Sequence, residues 1–259
     1  MSSSSETPAN PDAASLHEHW ILVTGAGDGF GRAIALAAAQ AGAQLVLLGR
    51  TASKLEAVHD TIIAAGGEAP IIVPGDLAAL DEDGADELAG ALADEVGALH
   101  GLVHVAGELG GRVPLQFYPP SQWQQVLQTN LTAPFLLTRA LLPLLQSAPA
   151  ARILFMSSSV GIVGRAFWGA YAVSKFGVEG MAQVLRDELA NTSEIDVHVV
   201  NPGAMRTRMR AAAYPVEDPA SVPPPEHLAP AIIELLRTDR RDSQQRIELQ
   251  QKPTAPPQA

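Results

Sequence analysis

One stretch of the chain, Trp20-Ile21-Leu22-Val23-Thr24-Gly25-Ala26-Gly27-Asp28-Gly29-Phe30-Gly31, joins an apolar run to a glycine-rich turn. The run from Trp20 to Val23 is short and uninterrupted, which is typical of a strand buried in a parallel sheet. The alanine-rich residues 32–41 after the turn predict a helix. A strand, a glycine turn and a helix in this order can bind phosphate, because the glycines allow close approach and the helix N-terminus offers free N–H groups.

The spacing of these glycines differs from two common nucleotide-binding fingerprints. The pattern Gly-x-Gly-x-x-Gly fails because Phe30 or Arg32 stands where its third glycine belongs, and no Gly-Lys-Ser/Thr follows, which excludes a P-loop. The chain has Thr24-Gly25-x-x-x-Gly29-x-Gly31 instead. A tight turn without a ligand is the alternative interpretation, but the strand before it and the helix after it favour a bound dinucleotide.

The next apolar run, Gln44 to Leu48, predicts a second buried strand that ends at Gly49-Arg50-Thr51. About 20 residues beyond the glycine turn, a dinucleotide site needs an acid for the ribose 2′-hydroxyl of NAD(H) or an arginine for the 2′-phosphate of NADP(H). Arg50 stands there, so the sequence favours NADP(H) and leaves NAD(H) open. The alternative is a solvated arginine at the start of the next helix.

The rest of the chain repeats this alternation of strands and helices. Further strands are predicted at residues 71–73, 99–106, 152–156, 196–200 and 245–249, and helices at 51–66, 81–95, 122–145, 168–190 and 226–237. We expect Pro134 and Pro143 to kink or divide helix 122–145. The alternation predicts an α/β fold, a single doubly wound Rossmann-type domain. Its parallel sheet should have six to seven strands in the order 3-2-1-4-5-6-7, with helices on both faces.

Composition divides the 259 residues into one domain with two loose ends. Residues 1–19 are rich in Ser, Pro, Ala and acids and have no apolar signal-peptide core, so we expect a disordered leader there. The domain should cover residues 20–250, and a flexible tail residues 251–259. Within the domain, residues 204–225 contain several prolines and arginines and predict a long substrate loop.

The charge and residue content exclude several classes of function. A formal net charge of -11 argues against a nucleic acid or an anionic membrane as a partner. The chain has no cysteine, which excludes disulfides, a thiolate nucleophile and cysteine-held zinc, and no metal site is expected. No apolar run approaches the ~20 residues of a membrane span. We expect a cytoplasmic protein whose partner is a small molecule.

A second informative stretch carries Ser157-Ser158-Ser159-Val160-Gly161 and, after nine residues, Tyr171-Ala172-Val173-Ser174-Lys175. The spacing of Tyr171 and Lys175 places them one turn apart on one helix face. A nearby ammonium stabilises a phenolate, so we expect the pKa of Tyr171, ordinarily about 10, to fall. Such a tyrosine can give or take a proton during reduction or oxidation of a carbonyl/alcohol pair. The alternative is a buried tyrosine and a solvated lysine that share a face by chance.

Together these residues resemble the classical short-chain dehydrogenase/reductase family, over about residues 20–250. The resemblance is carried by Thr24-Gly25-x-x-x-Gly29-x-Gly31, Asn130, Ser158, Tyr171, Lys175 and Asn201-Pro202-Gly203 with Thr207. The serine cluster, Trp168-Gly169-Ala170-Tyr171, Lys175-Phe176 and Arg206-Thr207 also resemble its YciK-like bacterial subgroup. The resemblance implies an oxidoreductase that moves a hydride between NADP(H) or NAD(H) and a carbonyl or secondary alcohol. It also implies a homodimer or homotetramer that pairs through helices 122–145 and 168–190.

The resemblance further implies a role for each site residue. Ser158 would hydrogen-bond the substrate oxygen, Tyr171 would be the general acid in reduction and the base in oxidation, and Lys175 would bind the nicotinamide ribose. Asn130 would hold a water that links Lys175 to solvent. The adenine would contact Asp76 and Leu77, and the carboxamide Thr207. The remaining cofactor-binding residues are Thr24, Gly25, Asp28, Gly29, Phe30, Gly31, Arg50, Ala106, Gly107, Pro202 and Gly203.

Three features leave alternatives open. His104 and Val105 replace both amides of the family's Asn-Asn-Ala-Gly, so His104 is either a core histidine or a catalytic one. The arginines at 206, 208 and 210 either bind an acidic substrate or the cofactor phosphates, or are solvated. The function has two alternatives as well. A non-catalytic NADP(H)-sensing binding protein would need no Tyr–Lys pair, and a sugar-nucleotide epimerase would need a larger substrate domain than this chain has room for.

Overall fold

The computed structural model describes residues 16–238 and 245–250. Most of the predicted leader, residues 1–15, and the predicted tail, residues 251–259, lie outside these ranges. Residues 16–19, which we expected in the leader, pack on the domain. Leu16 is fully buried, and its backbone N–H donates a hydrogen bond of 2.7 Å to the carbonyl of Ala41.

A parallel sheet of seven strands forms the centre of the described chain. The strands are β1 (Trp20–Thr24), β2 (Gln44–Gly49), β3 (Ile71–Pro74), β4 (Gly101–His104), β5 (Ala151–Met156), β6 (Ile195–Asn201) and β7 (Arg246–Glu248). Their order is β3-β2-β1-β4-β5-β6-β7, which confirms the predicted topology. Short continuous apolar runs form these strands because both faces of the sheet are covered, so successive side chains are buried on opposite sides.

Helices cover both faces of the sheet, as predicted. They are α1 (Gly29–Gln40), α2 (Ala52–Ala64), α3 (Glu82–Val96), α4 (Pro120–Leu127), α5 (Ala133–Ser147), α6 (Gly169–Leu189), α7 (Arg208–Ala213) and α8 (Ala229–Leu236). On one face, Ile34 of α1, Leu55 of α2 and Ile232 of α8 share a core with Val23 and Leu47 of the sheet. On the other face, side chains of α3, α5 and α6 form a second core with the alternate strand residues.

The predicted helix over residues 122–145 is divided, but Pro143 takes no part in the division. A π-helical segment, Gln128–Thr132, separates α4 from α5. Pro134 lies in the first turn of α5, where a helix tolerates a missing N–H. Pro143 lies inside α5 without ending it, because the buried leucines of α5 hold the helix against the sheet.

The predicted substrate loop over residues 204–225 contains a short helix. The Thr207 hydroxyl begins α7 by accepting a hydrogen bond of 3.2 Å from the N–H of Arg210, which is a typical helix cap. Two 3₁₀ turns, Pro219–Ser221 and Pro225–His227, lead from α7 to α8. The loop is therefore largely structured.

The glycine turn between β1 and α1 brings backbone segments very close together. Gly25 has a φ of 68°, and a Cβ at this position would lie 3.0 Å from the Cα of Ala106. Gly31 leaves even less room, since a Cβ there would lie 2.3 Å from the carbonyl oxygen of Gly25. A side chain at position 31 would therefore force the turn apart.

We expect Gly31→Ala to lower the free energy of unfolding by about 1–3 kcal/mol, because its methyl group would overpack a backbone contact. Gly90→Ala is the matched control. Gly90 is exposed inside α3 with no atom within 4 Å of its would-be Cβ, so alanine there should stabilise the helix by about 0.5–1 kcal/mol. Urea unfolding followed by circular dichroism measures both. A Gly31→Ala protein as stable as the parent would contradict the close packing of the turn.

Candidate active site

A cavity of about 500 Å³ opens at the carboxyl ends of the central strands. The glycine turn and the end of β2 line one part of it, and the serine segment after β5 and helix α6 line another. Parallel strands end at one edge of the sheet, so segments far apart in sequence meet there. The predicted site residues that line the cavity are Gly25, Asp28, Gly29, Phe30, Gly31, Arg50, Asp76, Leu77, Ala106, Gly107, Ser158, Tyr171, Lys175, Pro202, Gly203 and Thr207.

Thr24 is a predicted site residue that stands behind the cavity wall. It is almost fully buried, and its hydroxyl accepts hydrogen bonds of 3.0 and 3.1 Å from the N–H groups of Val105 and Ala106. The same hydroxyl lies 3.4 Å from the carbonyl of Val103, to which it donates. The side chain therefore joins the end of β1 to the segment after β4 instead of facing the cavity.

Asn130 also stands behind the wall, in the π-helical segment between α4 and α5. Its Oδ1 accepts a hydrogen bond of 2.7 Å from the N–H of Glu108, and its Nδ2 donates to the Glu108 carbonyl at 2.9 Å. The same Nδ2 donates to Oγ of Ser174 at 3.0 Å. The amide therefore braces the segment after β4 against α6. The water-holding role of Asn130 stays a prediction, because these contacts involve Glu108 and Ser174 instead of Lys175.

The carboxylate of Asp28 caps α1 and meets two cations. It accepts hydrogen bonds from the N–H of Gly29 at 2.7 Å and from Nζ of Lys54 at 2.5 Å, and it forms an ion pair with Arg208. Burial raises the pKa of Asp28, but the hydrogen bonds from Lys54 and Gly29 and the charge of Arg208 outweigh it, so the pKa is lowered. Because Arg208 belongs to α7, this ion pair joins the substrate loop to the glycine turn.

Arg50 lies at the cavity, as predicted, in an ion pair with an acid that the sequence did not single out. Its Nη1 donates to Oε1 of Glu108 at 2.9 Å, and Gln125 donates to Oε2 of the same carboxylate at 2.8 Å. Lys54 lines the cavity too and escaped the sequence analysis. Its position four residues after Arg50, at the start of a helix, was the available signal. Two cations beside a glycine cradle fit the phosphate groups of a dinucleotide.

Three predicted catalytic side chains, one from the segment after β5 and two from α6, come together at the cavity. Ser158 is close enough to Tyr171 for its hydroxyl to favour the phenolate form of the phenol. Nζ of Lys175 lies 5.7 Å from the centre of the Tyr171 ring and donates a hydrogen bond of 2.8 Å to the carbonyl of Met156. Tyr171 and Lys175 are both buried, which makes their protonation sensitive to each neighbouring charge.

The pKa of Tyr171 shifts in the direction opposite to the prediction. Burial raises the pKa of Tyr171 to about 12, although the nearby hydroxyl of Ser158 opposes the rise. Burial also lowers the pKa of Lys175 to about 8, although the charge of Glu179 opposes this fall. The prediction was wrong because burial destabilises the phenolate by more than an ammonium 5.7 Å from the ring centre stabilises it.

His104 is a core residue. Its buried ring is hydrogen-bonded through Nε2 to the hydroxyl of Thr138 at 2.9 Å and stacks on Phe155 with ring centroids 4.8 Å apart. Burial, with the charge of Lys175, lowers the pKa of His104 to about 3, so the ring is neutral near pH 7. The residue is absent from the cavity lining. These observations favour the core interpretation over the catalytic one.

The wall of the cavity beyond Tyr171 is largely apolar. Leu109, Trp168 and Met209 pack around the tyrosine. The guanidinium of Arg112 lies over the ring of Trp168 at 4.6 Å and over that of Tyr214 at 5.2 Å. Arg112 therefore ties the loop after β4 to the substrate loop through two aromatic rings that line the cavity.

The three arginines of the substrate loop have partners within the chain. Nε of Arg206 donates to the carbonyl of Pro219 at 3.0 Å, and Nε of Arg210 donates to Glu217 at 2.6 Å. Both contacts hold the loop together. Arg208 instead reaches Asp28, on the glycine-turn side of the cavity. Of the alternatives left open, binding of cofactor phosphates therefore suits Arg208 best.

The described residues also bear on metal and membrane binding. In residues 16–238 and 245–250, no group of three or more His, Asp or Glu side chains lies close enough to hold a metal ion. None of the helices in these ranges combines the length and the apolar character that crossing a bilayer requires.

Known proteins resemble this chain along most of its length. It matches the short chain dehydrogenase family over residues 19–218. It is 44% identical over 226 residues to the uncharacterized oxidoreductase YciK of Escherichia coli, covering 87% of this chain and 89% of that protein. A Shigella flexneri chain crystallised with NADP has a TM-score of 0.87 and 42% identity, covering 91% of this chain and 98% of that one. An Escherichia coli chain crystallised with NADPH has a TM-score of 0.89 and 41% identity, covering 94% of this chain and 100% of that one. This chain belongs to the short-chain dehydrogenase/reductase family, in its YciK-like bacterial subgroup.

Proposed function

We propose that this protein is an NADP(H)-dependent oxidoreductase that interconverts a carbonyl and an alcohol group of a small molecule. One observation carries the proposal. The hydroxyl of Ser158, the phenol of Tyr171 and the buried ammonium of Lys175 share one cavity with a glycine turn at a helix N-terminus. The family membership and the NADP(H) complexes of two similar chains support it.

The protein must stabilise the negative charge that develops on the reacting oxygen and must transfer a proton to or from that oxygen. NADP(H), when bound, supplies or accepts the hydride. Ser158 would donate a hydrogen bond to the oxygen as negative charge develops on it, and losing such a donor commonly costs ~10²–10³ in rate. Tyr171 would deliver its proton to that oxygen in reduction and take it back in oxidation.

The pKa values suit these roles in the direction of reduction. With a pKa of about 12, Tyr171 keeps its proton near neutral pH and has one to give. With a pKa of about 8, Lys175 is mostly charged below that pH and stabilises the phenolate that proton transfer leaves behind. A proton would return to the tyrosine past Lys175 and the π-helical segment at Asn130, since π-helical segments are frequent at functional sites.

We expect Tyr171→Phe to lower turnover by about 10²–10⁴-fold because the acidic proton is lost. NADPH should still bind, because the ring remains. The measurement is the loss of NADPH absorbance with a panel of aldehydes and ketones. Tyr118→Phe is the matched control, since Tyr118 packs with Val126 and Ala170 away from the cavity lining. Unchanged turnover in Tyr171→Phe would refute the mechanism.

The same panel separates the enzyme from its alternative, a binding protein that senses NADP(H). The binding protein would take up NADPH in a calorimetric titration and oxidise none of it with any carbonyl compound. The set of Ser158, Tyr171 and Lys175 favours the enzyme, because cofactor binding alone has no use for a proton donor beside a buried ammonium.

We further propose that Arg50 and Lys54 recognise the 2′-phosphate of NADP(H). Both line the cavity beside the end of β2, and Lys54 lies in the first turn of α2. Because a hydrogen bond to a charged group typically contributes ~1.5–3 kcal/mol, Arg50→Ala or Lys54→Ala should weaken NADPH binding by about 10- to 100-fold. NADH binding should change little, since NADH has no phosphate there.

Fluorescence titrations with NADPH and NADH measure this preference. Arg139→Ala is the matched control, because Arg139 lies on α5 and pairs with Glu82 and Asp86, away from the cavity lining. Equal losses of affinity for NADPH and NADH would show that Arg50 and Lys54 do not recognise the 2′-phosphate.

We also propose that the protein pairs through α5 and α6, which lie on the same face of the sheet. Phe135 on α5 and Val173, Phe176 and Val184 on α6 are 45–59% exposed. Exposed apolar side chains grouped on one face are typical of protein–protein interfaces. Multi-angle light scattering should give the mass of a dimer or tetramer, and Phe176→Asp should shift it toward the monomer. A monomeric parent protein would contradict the proposal.

A further inference from the structure

We propose that Glu179 and Arg246 are positioning residues of this site, which sustain the charge of Lys175 and hold the segment that carries Ser158. Together with Ser157 they form what we call the charge cluster. The inference rests on the proposed function, because it is there that Lys175 has its role. Neither Glu179 nor Arg246 lines the cavity.

The contacts of the charge cluster are short and buried. Oε1 of Glu179 accepts a hydrogen bond of 2.6 Å from the hydroxyl of Ser157 and one of 3.0 Å from Nε of Arg246. The side chains of Glu179 and Arg246 are 9% and 24% exposed. Burying a carboxylate at this depth destabilises the fold unless the carboxylate is paired. The contacts from Ser157 and Arg246 supply that pairing.

The cluster lies directly behind the reacting groups. Glu179 follows Lys175 by four residues on α6, so the two share one face of the helix. Ser157 immediately precedes Ser158, and Nη2 of Arg246 lies 3.5 Å from the carbonyl oxygen of Ser158. A displacement of Glu179 would therefore disturb both the ammonium and the hydroxyl that the reaction needs.

Arg246 extends the cluster to the far wall of the cavity. It forms an ion pair with Glu248 of β7, and Oε2 of Glu248 accepts a hydrogen bond of 2.6 Å from Nδ2 of Asn201. Oδ1 of Asn201 accepts in turn from the N–H of Gly203 at 3.2 Å, and both Asn201 and Gly203 line the cavity. The short strand β7 therefore does more than extend the sheet, since it carries the cation that pairs with Glu179.

The charges of the cluster shift the pKa of Lys175 in a definite direction. Burial lowers the pKa of Lys175, and the negative charge of Glu179 works against this fall. Within the described part of the chain, other titratable or charged groups near this pair are Tyr171 and Arg186 on α6, His104 on β4, and Arg246 on β7 with its ion-pair partner Glu248. His104 is neutral near pH 7. Removing the Glu179 charge should therefore ease deprotonation of Lys175, and removing the Arg246 charge should hinder it.

The test measures the protonation of Lys175 directly and needs no substrate. The chain has three lysines, so labelling with lysine enriched in carbon-13 at Cε gives three signals. The signal that disappears in Lys175→Arg is the signal of Lys175. We expect Glu179→Gln to lower the midpoint of its pH titration by about one unit and Arg246→Gln to raise it by about half a unit. Glu188→Gln, the same substitution at an exposed position of α6, should leave the midpoint unchanged.

Shifts of opposite sign in the two variants support the proposal, because a purely structural role would lower stability in both without moving the midpoints apart. A folded Glu179→Gln protein that titrates like Glu188→Gln overturns it. If Glu179→Gln does not fold, Arg246→Gln serves instead: an upward shift supports the proposal, and an unchanged midpoint overturns it. The carbonyl panel is run on the same proteins. Absence of turnover in the parent would refute the proposed function, while the titration would still test the charge cluster.

Discussion

The buried ammonium of Lys175 is the constraint on which the rest of the site depends. The residue is 5% exposed, and burial brings its pKa down to about 8. The chain offsets the lost hydration with the carbonyl of Met156 at 2.8 Å and with the charge of Glu179 one helical turn away. A lysine whose pKa lies close to physiological pH changes its charge at small cost, which is a property that proton transfer requires and that a solvated lysine lacks.

The parallel sheet provides the place where such a lysine is useful. Strands β1, β4 and β5 end at one edge, so the glycine turn, the segment after β4 and Ser158 face one cavity. Thr24 and Asn130 act one layer behind this surface. Thr24 bridges β1 to the segment after β4, and Asn130 fixes that segment through the backbone of Glu108. Residues that carry a family motif can therefore serve the site by holding backbone in place.

The sequence predicts what depends on local pattern. Short apolar runs identified the strands, and the spacing of Tyr171 and Lys175 put both on one helix face. Contacts between distant positions left no such pattern, because Glu108 meets Arg50 from 58 residues away and Arg246 meets Glu179 from 67. The pKa of Tyr171 was misjudged for a related reason: spacing shows that an ammonium is near but says nothing about how deeply the phenol is buried.

The distribution of charge explains how an acidic chain can accommodate an anionic cofactor. The formal net charge of -11 would repel a dinucleotide phosphate, yet Arg50, Lys54 and Arg208 converge on the cavity. Each of them pairs with a carboxylate, either Asp28 or Glu108. Because the side chains of Arg50 and Arg208 are 60% and 77% exposed, such pairs contribute only ~0–1 kcal/mol, and a phosphate can replace the carboxylate at little cost. The pairs meanwhile keep the cations oriented, so a few weakly held cations outweigh the net charge of the whole chain.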